Sequence, residues 1–187
     1  PLSNYPNNFY KEIGTINYDN IISNQNIHKA KLVGSILNIK DRSNKDGKKY
    51  AFITVSDQNY QFEMSIFNDV IVKYSNLLKE GNTLLFHVDI SHDKENTRIV
   101  IRKVSDLENI YNSHNFQINI YLSHFNDFKL LDQFIIKSND KNLLFIFCQK
   151  KGKLISFNFS NNYKISDFSR LDKLNRSKKI NYSLEIQ

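Results

Sequence analysis

With 187 residues, 40% of them hydrophobic and 24% charged, the chain has room for one large or two small domains and the balance of a globular protein. No apolar run approaches the ~18 residues a membrane-crossing helix needs, and the N-terminus lacks a secretory signal pattern, so a soluble, cytoplasmic protein is expected. The net charge of +7 is unevenly spread, with −1 on residues 1–27, +2 on 28–108 and +6 on 109–187, so bulk charge does not by itself mark a polyanion binder.

Residues 1–27 hold both prolines, and Tyr5, Phe9, Tyr10 and Ile13 fall at helical spacing. They are read as a lead-in segment that packs locally, and a start at Pro1 suggests a piece of a longer protein. Strand patterning then begins. In the first strand Ala30, Leu32 and Ile36 alternate with Lys31 and Ser35, and Gly34 in mid-strand predicts a bulge or sharp coil of the kind a small barrel needs to close. The loop DRSNKDGK carries a turn signal in Asp46 and Gly47. Ala51, Ile53 and Val55 of the second strand face one way, and Tyr50, Phe52 and Thr54 the other. In the third, Tyr60, Phe62, Met64 and Ile66 oppose Gln61, Glu63 and Ser65.

Residues 68–78 change to helical spacing through Val70, Ile71, Tyr74, Leu77 and Leu78, with Asn68 as N-cap and Gly81 beyond the end. This helix is expected to plug a barrel mouth. The fourth strand buries Leu84, Phe86, Val88 and Ile90. After the polar loop HDKEN the fifth turns Ile99 and Ile101 inward and Arg98, Val100 and Arg102 outward, and a short linking helix spans 105–111. Five strands with a helix between the third and fourth predict a Greek-key barrel of the oligonucleotide-binding (OB) type over 28–108.

From Phe116 the pattern restarts. FQINIYLS reads as a strand, FNDFKLLDQFIIKS as a helix, NLLFIFCQKKG and KLISFNFS as a hairpin turning at Lys151 and Gly152, SDFSRLDKLNR as a helix and KINYSLEI as a last strand. The order βαββαβ over 113–187 predicts a four-stranded sheet with two helices on one face, a ferredoxin-like domain. The fold class expected is therefore mainly β with α+β character.

No catalytic set emerges. His28, His87, His92, His114 and His124 include no i, i+4 pair beside an acid, there is no CxxC, and the five glycines do not cluster into a phosphate loop. Cys148, the one cysteine, lies within the apolar run LLFIFC, where a thiol packs instead of reacting. No catalytic residue, metal or cofactor is expected.

Binding is the stronger expectation. The outer face of the second and third strands is the nucleic-acid surface of OB barrels, and bases stack on aromatic rings for ~1–3 kcal/mol each. Here Tyr50 and Phe52 point outward together. Lys40, Arg42, Lys45, Lys48 and Lys49 come from the first loop and its flanks, and Arg98 and Arg102 from the last strand. That set suits a single strand, although Glu63 on the same face opposes tight phosphate contact. In the tail, Lys150, Lys151 and Lys153 on a hairpin tip and Lys178 and Lys179 before the last strand are candidates for docking a partner. The segment QFEMSIF is similar to sliding-clamp-docking peptides, but Met64 falls on the core face, which argues against that role.

The stretch from Lys31 to Gly81 strongly resembles the OB domain of the bacterial DNA polymerase III alpha subunit. The family's V-x-G-x-V strand, K-x-G loop, A-F-(V/I)-T-(L/V)-x-D strand, E-x-x-(V/I)-F strand, K-Y-x-x-L-L helix and final Gly correspond to residues 32–36, 45–47, 51–57, 63–67, 73–78 and Gly81. Pro1, Leu2 and Tyr5 are similar to its P-L-x-x-Y lead-in, and the end at Leu184-Glu185-Ile186 is similar to its C-terminal domain. A usual turn Gly is replaced, with Asn59 a substitute able to adopt positive φ, and a usual Pro is Asn68. The resemblance implies a non-catalytic C-terminal part of a DNA-directed DNA polymerase, whose metal-binding carboxylates and Mg lie upstream. It further implies a barrel that contacts single-stranded template DNA, a last domain that binds the clamp-loader tau subunit, and other polymerase III holoenzyme subunits as partners. The residues leave open an RNA-binding OB module of the anticodon-binding type and a pure protein-interaction module.

Overall fold

The computed structural model describes all residues except 1, 3, 4, 46, 94–95, 139–141, 160–162 and 187. The chain divides into two compact units, Pro1–Leu2 with Ile13–Tyr111 and Ser3–Glu12 with Asn112–Gln187. The lead-in is thus shared between them. Helix α1 (Asn7–Glu12) belongs to the second unit, where Phe9 is fully buried, and α2 (Tyr18–Ser23) to the first, where Ile21 is fully buried.

The first unit is a closed barrel in the order β1-β2-β3-β5-β4, built from β1 (Lys29–Ser43), β2 (Lys49–Ser56), β3 (Gln61–Phe67), β4 (Thr83–His92) and β5 (Thr97–Asp106). This is the expected OB architecture. Inward side chains at alternate positions form one apolar cluster, including Leu32, Ile36, Ile53, Val55, Met64, Ile66, Phe86 and Ile101. Helix α3 (Asn68–Tyr74) adds Val70 to that cluster and ends earlier than its spacing predicts. Leu77 and Leu78 still pack on the core from a turn in which both backbone amides donate to the Tyr74 carbonyl. Asn68 is the first helical residue and not the N-cap; Phe67 holds that position.

The long strand β1 does the closing. Its first half pairs with β4 and its second with β2, and Ser35 is matched to both Thr83 and Ser56. The bulge lies between Ile36 and Asn38, not at Gly34. Gly34 serves a different need: a Cβ there would stand 2.2 Å from Val55 Cγ1 and 3.0 Å from the Ser56 carbonyl oxygen. Between β1 and β2, Gly47 adopts φ +74, and the Asn44 side chain accepts from the Lys48 amide at 2.7 Å. Asp46 lies outside the described residues. Between β2 and β3 the Asp57 carboxylate accepts from the Asn59 and Tyr60 amides, so the turn holds without positive φ at Asn59. Tyr60 precedes β3 and is 45% exposed instead of joining the core.

Helix α4 (Leu107–Ser113) follows, and then the second unit: β6 (Phe116–Leu122), β7 (Ile135–Lys137), β8 (Leu143–Lys150), β9 (Lys153–Asn158), β10 (Tyr163–Ile165), α5 (Phe168–Arg176) and β11 (Ile180–Ile186). Its main sheet runs β11-β6-β8-β9, with β6 and β8 parallel and the other pairs antiparallel, while β7 and β10 form a separate ribbon. The second unit keeps the four main strands expected but not the full βαββαβ succession, since a 3-10 helix and β7 fill the first crossover and β10 precedes α5. Its first crossover joins neighbouring strands, whereas a split βαβ sets another strand between them.

The helix predicted over FNDFKLLDQFIIKS is instead a 3-10 helix (Phe125–Leu130), a turn and β7. Phe125, Phe128, Leu131 and Phe134 recur every third residue, the period of a 3-10 helix, whose i and i+3 side chains eclipse. Leu131 and Phe134 are buried, and β7 finds its partner in β10, which strand patterning alone does not reveal. The hairpin turns at Lys151 (φ 51) and Gly152 (φ 76), two successive positive-φ residues that match the twist of the flanking strands.

Candidate nucleic-acid interface

Cross-strand register places the outward side chains of β1, β2 and β3 in rows, because paired positions share a face. One row is Arg42, Tyr50 and Phe67; the next is Lys40, Phe52 and Ser65, continued by Val100 of β5; a third is Asn38, Thr54 and Glu63. Five of the nine basic and aromatic residues named from the sequence need separate comment. Lys45, Lys48 and Lys49 are exposed on the hairpin that joins β1 to β2, beside the Arg42 row. Arg98 reaches the site over the Phe67 ring, 5.9 Å from its centroid. Arg102 is held by Asp89 of β4, its Nε 2.7 Å from the carboxylate.

Tyr50 and Phe52 are half-buried and meet edge to face, with centroids 5.6 Å apart and planes at 84°. Two rings at right angles cannot serve as two parallel platforms. Together they offer a base one stacking surface. Phe67 is the aromatic that the sequence alone leaves unnamed. It shares strand parity with Glu63 and Ser65, which marks it as outward, but only register shows that it lines up with Tyr50. It is 36% exposed and carries Arg98 on its ring, a cation–π pair that adds a cationic edge to a second platform. What the face can do chemically is stack unpaired bases and neutralise their phosphates.

A second cationic group lies on β1, β4 and β5, where His87 pairs with Lys31 on one side and Lys103 on the other. Desolvation by burial, then the charges of Lys103 and Lys31, hold the imidazole below its ordinary pKa of 6.5. The unfolded chain therefore takes up this proton first as pH falls, and stability is lost below about pH 6.5. In His87→Gln this part of the acid-side loss is expected to vanish, read as a smaller drop in urea midpoint between roughly pH 7 and 5.5. An identical drop in the variant would assign the loss to other groups.

Among the described residues no group of three His, Cys, Asp or Glu side chains gathers as a metal site, and no helix is long and apolar enough to cross a membrane. Cys148 is buried.

Residues 30–107 match the family described as "OB-fold nucleic acid binding domain". The chain is similar to DNA polymerase III subunit alpha of Rickettsia bellii, 27% identical over 128 residues, and of Rickettsia felis, 26% over 129, each alignment covering 64% of this chain. It spans about a tenth of the length of these relatives, 11% and 10% respectively. Among solved structures, the mitochondrial single-stranded DNA binding protein Rim1 of S. cerevisiae aligns at 14% identity and a TM-score of 0.37, covering 42% of this chain and 92% of that one. With a closed five-stranded barrel matched to an OB-fold family and with these relatives, the chain resembles the C-terminal OB region of DNA polymerase III alpha subunits.

Proposed function

We propose that this chain is a non-catalytic, cytoplasmic part of a replicative polymerase alpha subunit. Its barrel binds single-stranded template DNA across β1, β2 and β3, and its second unit docks the clamp-loader tau subunit within the polymerase III holoenzyme. The observation that carries the first role is the row geometry: Tyr50, Phe52 and Phe67 stand among Lys40, Arg42 and Arg98 on one face of an OB barrel. The tau role rests on the sequence resemblance alone. Mixed aromatic and cationic faces suit single strands because stacking tolerates any base while cations follow the backbone.

The test is fluorescence anisotropy of a labelled poly-dT of about 20 nucleotides at two or more salt concentrations, with an RNA stem-loop as competitor. Affinity should fall with salt at a log–log slope of about −0.7 per phosphate neutralised. Plain single-stranded DNA should outcompete the structured RNA. No binding at low salt would sink strand binding, and preference for the stem-loop would move the barrel to an RNA-binding role. Titration of the tau subunit, read by calorimetry, tests the docking role separately.

A further inference from the structure

The main sheet of the second unit buries one face against helices and carries an aromatic row on the other. There Tyr121 is exposed, Phe145 and Phe147 are half-buried, and Asn119 is buried and donates to the Glu185 carboxylate. Phe9 of α1 packs on Phe116, Phe128 of the 3-10 helix on Phe157, and Asp172 of α5 accepts from the Tyr182 hydroxyl. Phe116 and Tyr182 are buried, and Phe157 pairs with buried Ile146, so all three contacts lie on the covered side. Tyr121, Phe145 and Phe147 have the opposite parity. Tyr121 and Phe147 occupy paired positions on β6 and β8, their rings stacked with centroids 5.0 Å apart and planes at 15°. Phe145 continues the row 6.3 Å from Phe147 at 21°. Tyr121, at the row's end, is 41% exposed and borders a cleft of about 420 Å3 lined by Ser123, Asn175, Lys178 and Asn181.

The cations are gathered at the same end. β6 and β8 are parallel and finish side by side, with Leu122 opposite Cys148 and Ile180 opposite Leu122. Lys150, Lys151 and Lys153 on the β8–β9 hairpin and Lys178 and Lys179 ahead of β11 therefore all rim the edge next to Tyr121. The Lys150 ammonium lies 4.8 Å from the centroid of Phe125, whose ring neighbours Phe157 on the covered side, so Lys150 is turned away from the aromatic row.

We propose that this aromatic face is a second single-strand site, independent of the barrel. A base extends the Phe145–Phe147–Tyr121 stack into the cleft, and the phosphates lie against Lys178 and Lys179, with Lys151 at the hairpin tip. Near-parallel rings are a stack already begun, which a flat base continues. Asn175 and Asn181 supply donors and acceptors for a base edge, and the basic rim complements a polyanion. Of the lysines read from the sequence as a protein-docking surface, Lys151, Lys178 and Lys179 are thereby assigned to phosphates.

The chain contains no Trp, so Tyr121→Trp in the full chain places a single fluorophore on this face. Titration with an oligo-dT of about ten nucleotides should quench its emission to saturation, since only a stacked base reaches the ring. Inorganic polyphosphate should leave the emission unchanged, and a Lys178→Gln/Lys179→Gln background should raise the Kd by about threefold or more. Quenching should persist in a Tyr50→Ala/Phe52→Ala background, which separates this site from the barrel. Unchanged emission while labelled dT still binds would overturn the second site and leave the barrel reading standing. Quenching by polyglutamate as strong as by dT would also overturn it, in favour of an acidic protein partner. Silence in both emission and anisotropy would remove both sites.

Discussion

Gly34→Ala is expected to lower the thermal midpoint of the first unit by roughly 5–20 °C, corresponding to about 1–3 kcal/mol of overpacking. The sign is not obvious in advance. Removing a glycine stiffens the unfolded chain and by itself stabilises by about 0.4–1 kcal/mol where the backbone accepts a side chain. Gly34 has no positive φ to forbid alanine, so space decides. A methyl 2.2 Å from Val55 Cγ1 overlaps it, and Val55 is fully buried with nowhere to retreat. On the other side the Ser56 carbonyl, at 3.0 Å, belongs to the backbone of the pairing strand. The clash has a named partner, so a double-mutant cycle tests it. Val55→Ala alone opens a cavity, and in that background Gly34→Ala should cost clearly less, with a remainder from the Ser56 carbonyl that the cycle leaves in place. Additive losses, read by calorimetry on the two singles and the double, would reject the contact as the cause.

On the binding face, Tyr50→Ala/Phe52→Ala should weaken poly-dT binding by about 5–150-fold, the value of one stacked base and not two. The edge-to-face geometry sets that limit, because perpendicular rings share one platform. Phe67→Ala should cost a comparable factor on its own, since it removes a separate ring together with the surface that positions Arg98. Tyr50→Ala/Phe52→Ala should leave the salt slope unchanged. Lys40→Ala/Arg42→Ala should reduce it by about 0.7 for each phosphate left without its cation. The rings are half-buried and pack on each other outside the core, so their loss should lower the thermal midpoint by only a few degrees. A larger fall in midpoint with affinity intact would make the rings structural and return the barrel to a protein-interaction role.

The barrel is legible because period-two alternation separates Ala51, Ile53 and Val55 from Tyr50, Phe52 and Thr54 without reference to any other strand. What alternation lacks is register. It assigns Phe67 to the outside but not to the row of Tyr50, and the stack of Tyr121 on Phe147 depends on two strands separated by the crossover between them. Strand patterning expects the bend in β1 at its glycine. The structure divides that work, giving Gly34 the close approach and the bulge to the residues after it. The region after β6 misleads for another reason. Phe125, Phe128, Leu131 and Phe134 satisfy a three-residue period that resembles an α-helical stripe over so short a span. The β7–β10 ribbon joins segments that carry no signal of their need for each other.

The barrel's ring of strands is not equally tied all round. β3 and β5 meet at one paired position, Ser65 with Val100, while the other neighbours pair along most of their length. A wall with one short seam opens there first, so amide protons of β3 and β5 beside Ser65 and Val100 should exchange with deuterium ahead of those in the β4–β5 ladder. Phe67 on one side and Arg98 on the other span this join from outside. A polymer held by both groups would act as a stitch, and a protein gripping DNA would be the one whose barrel breathes least.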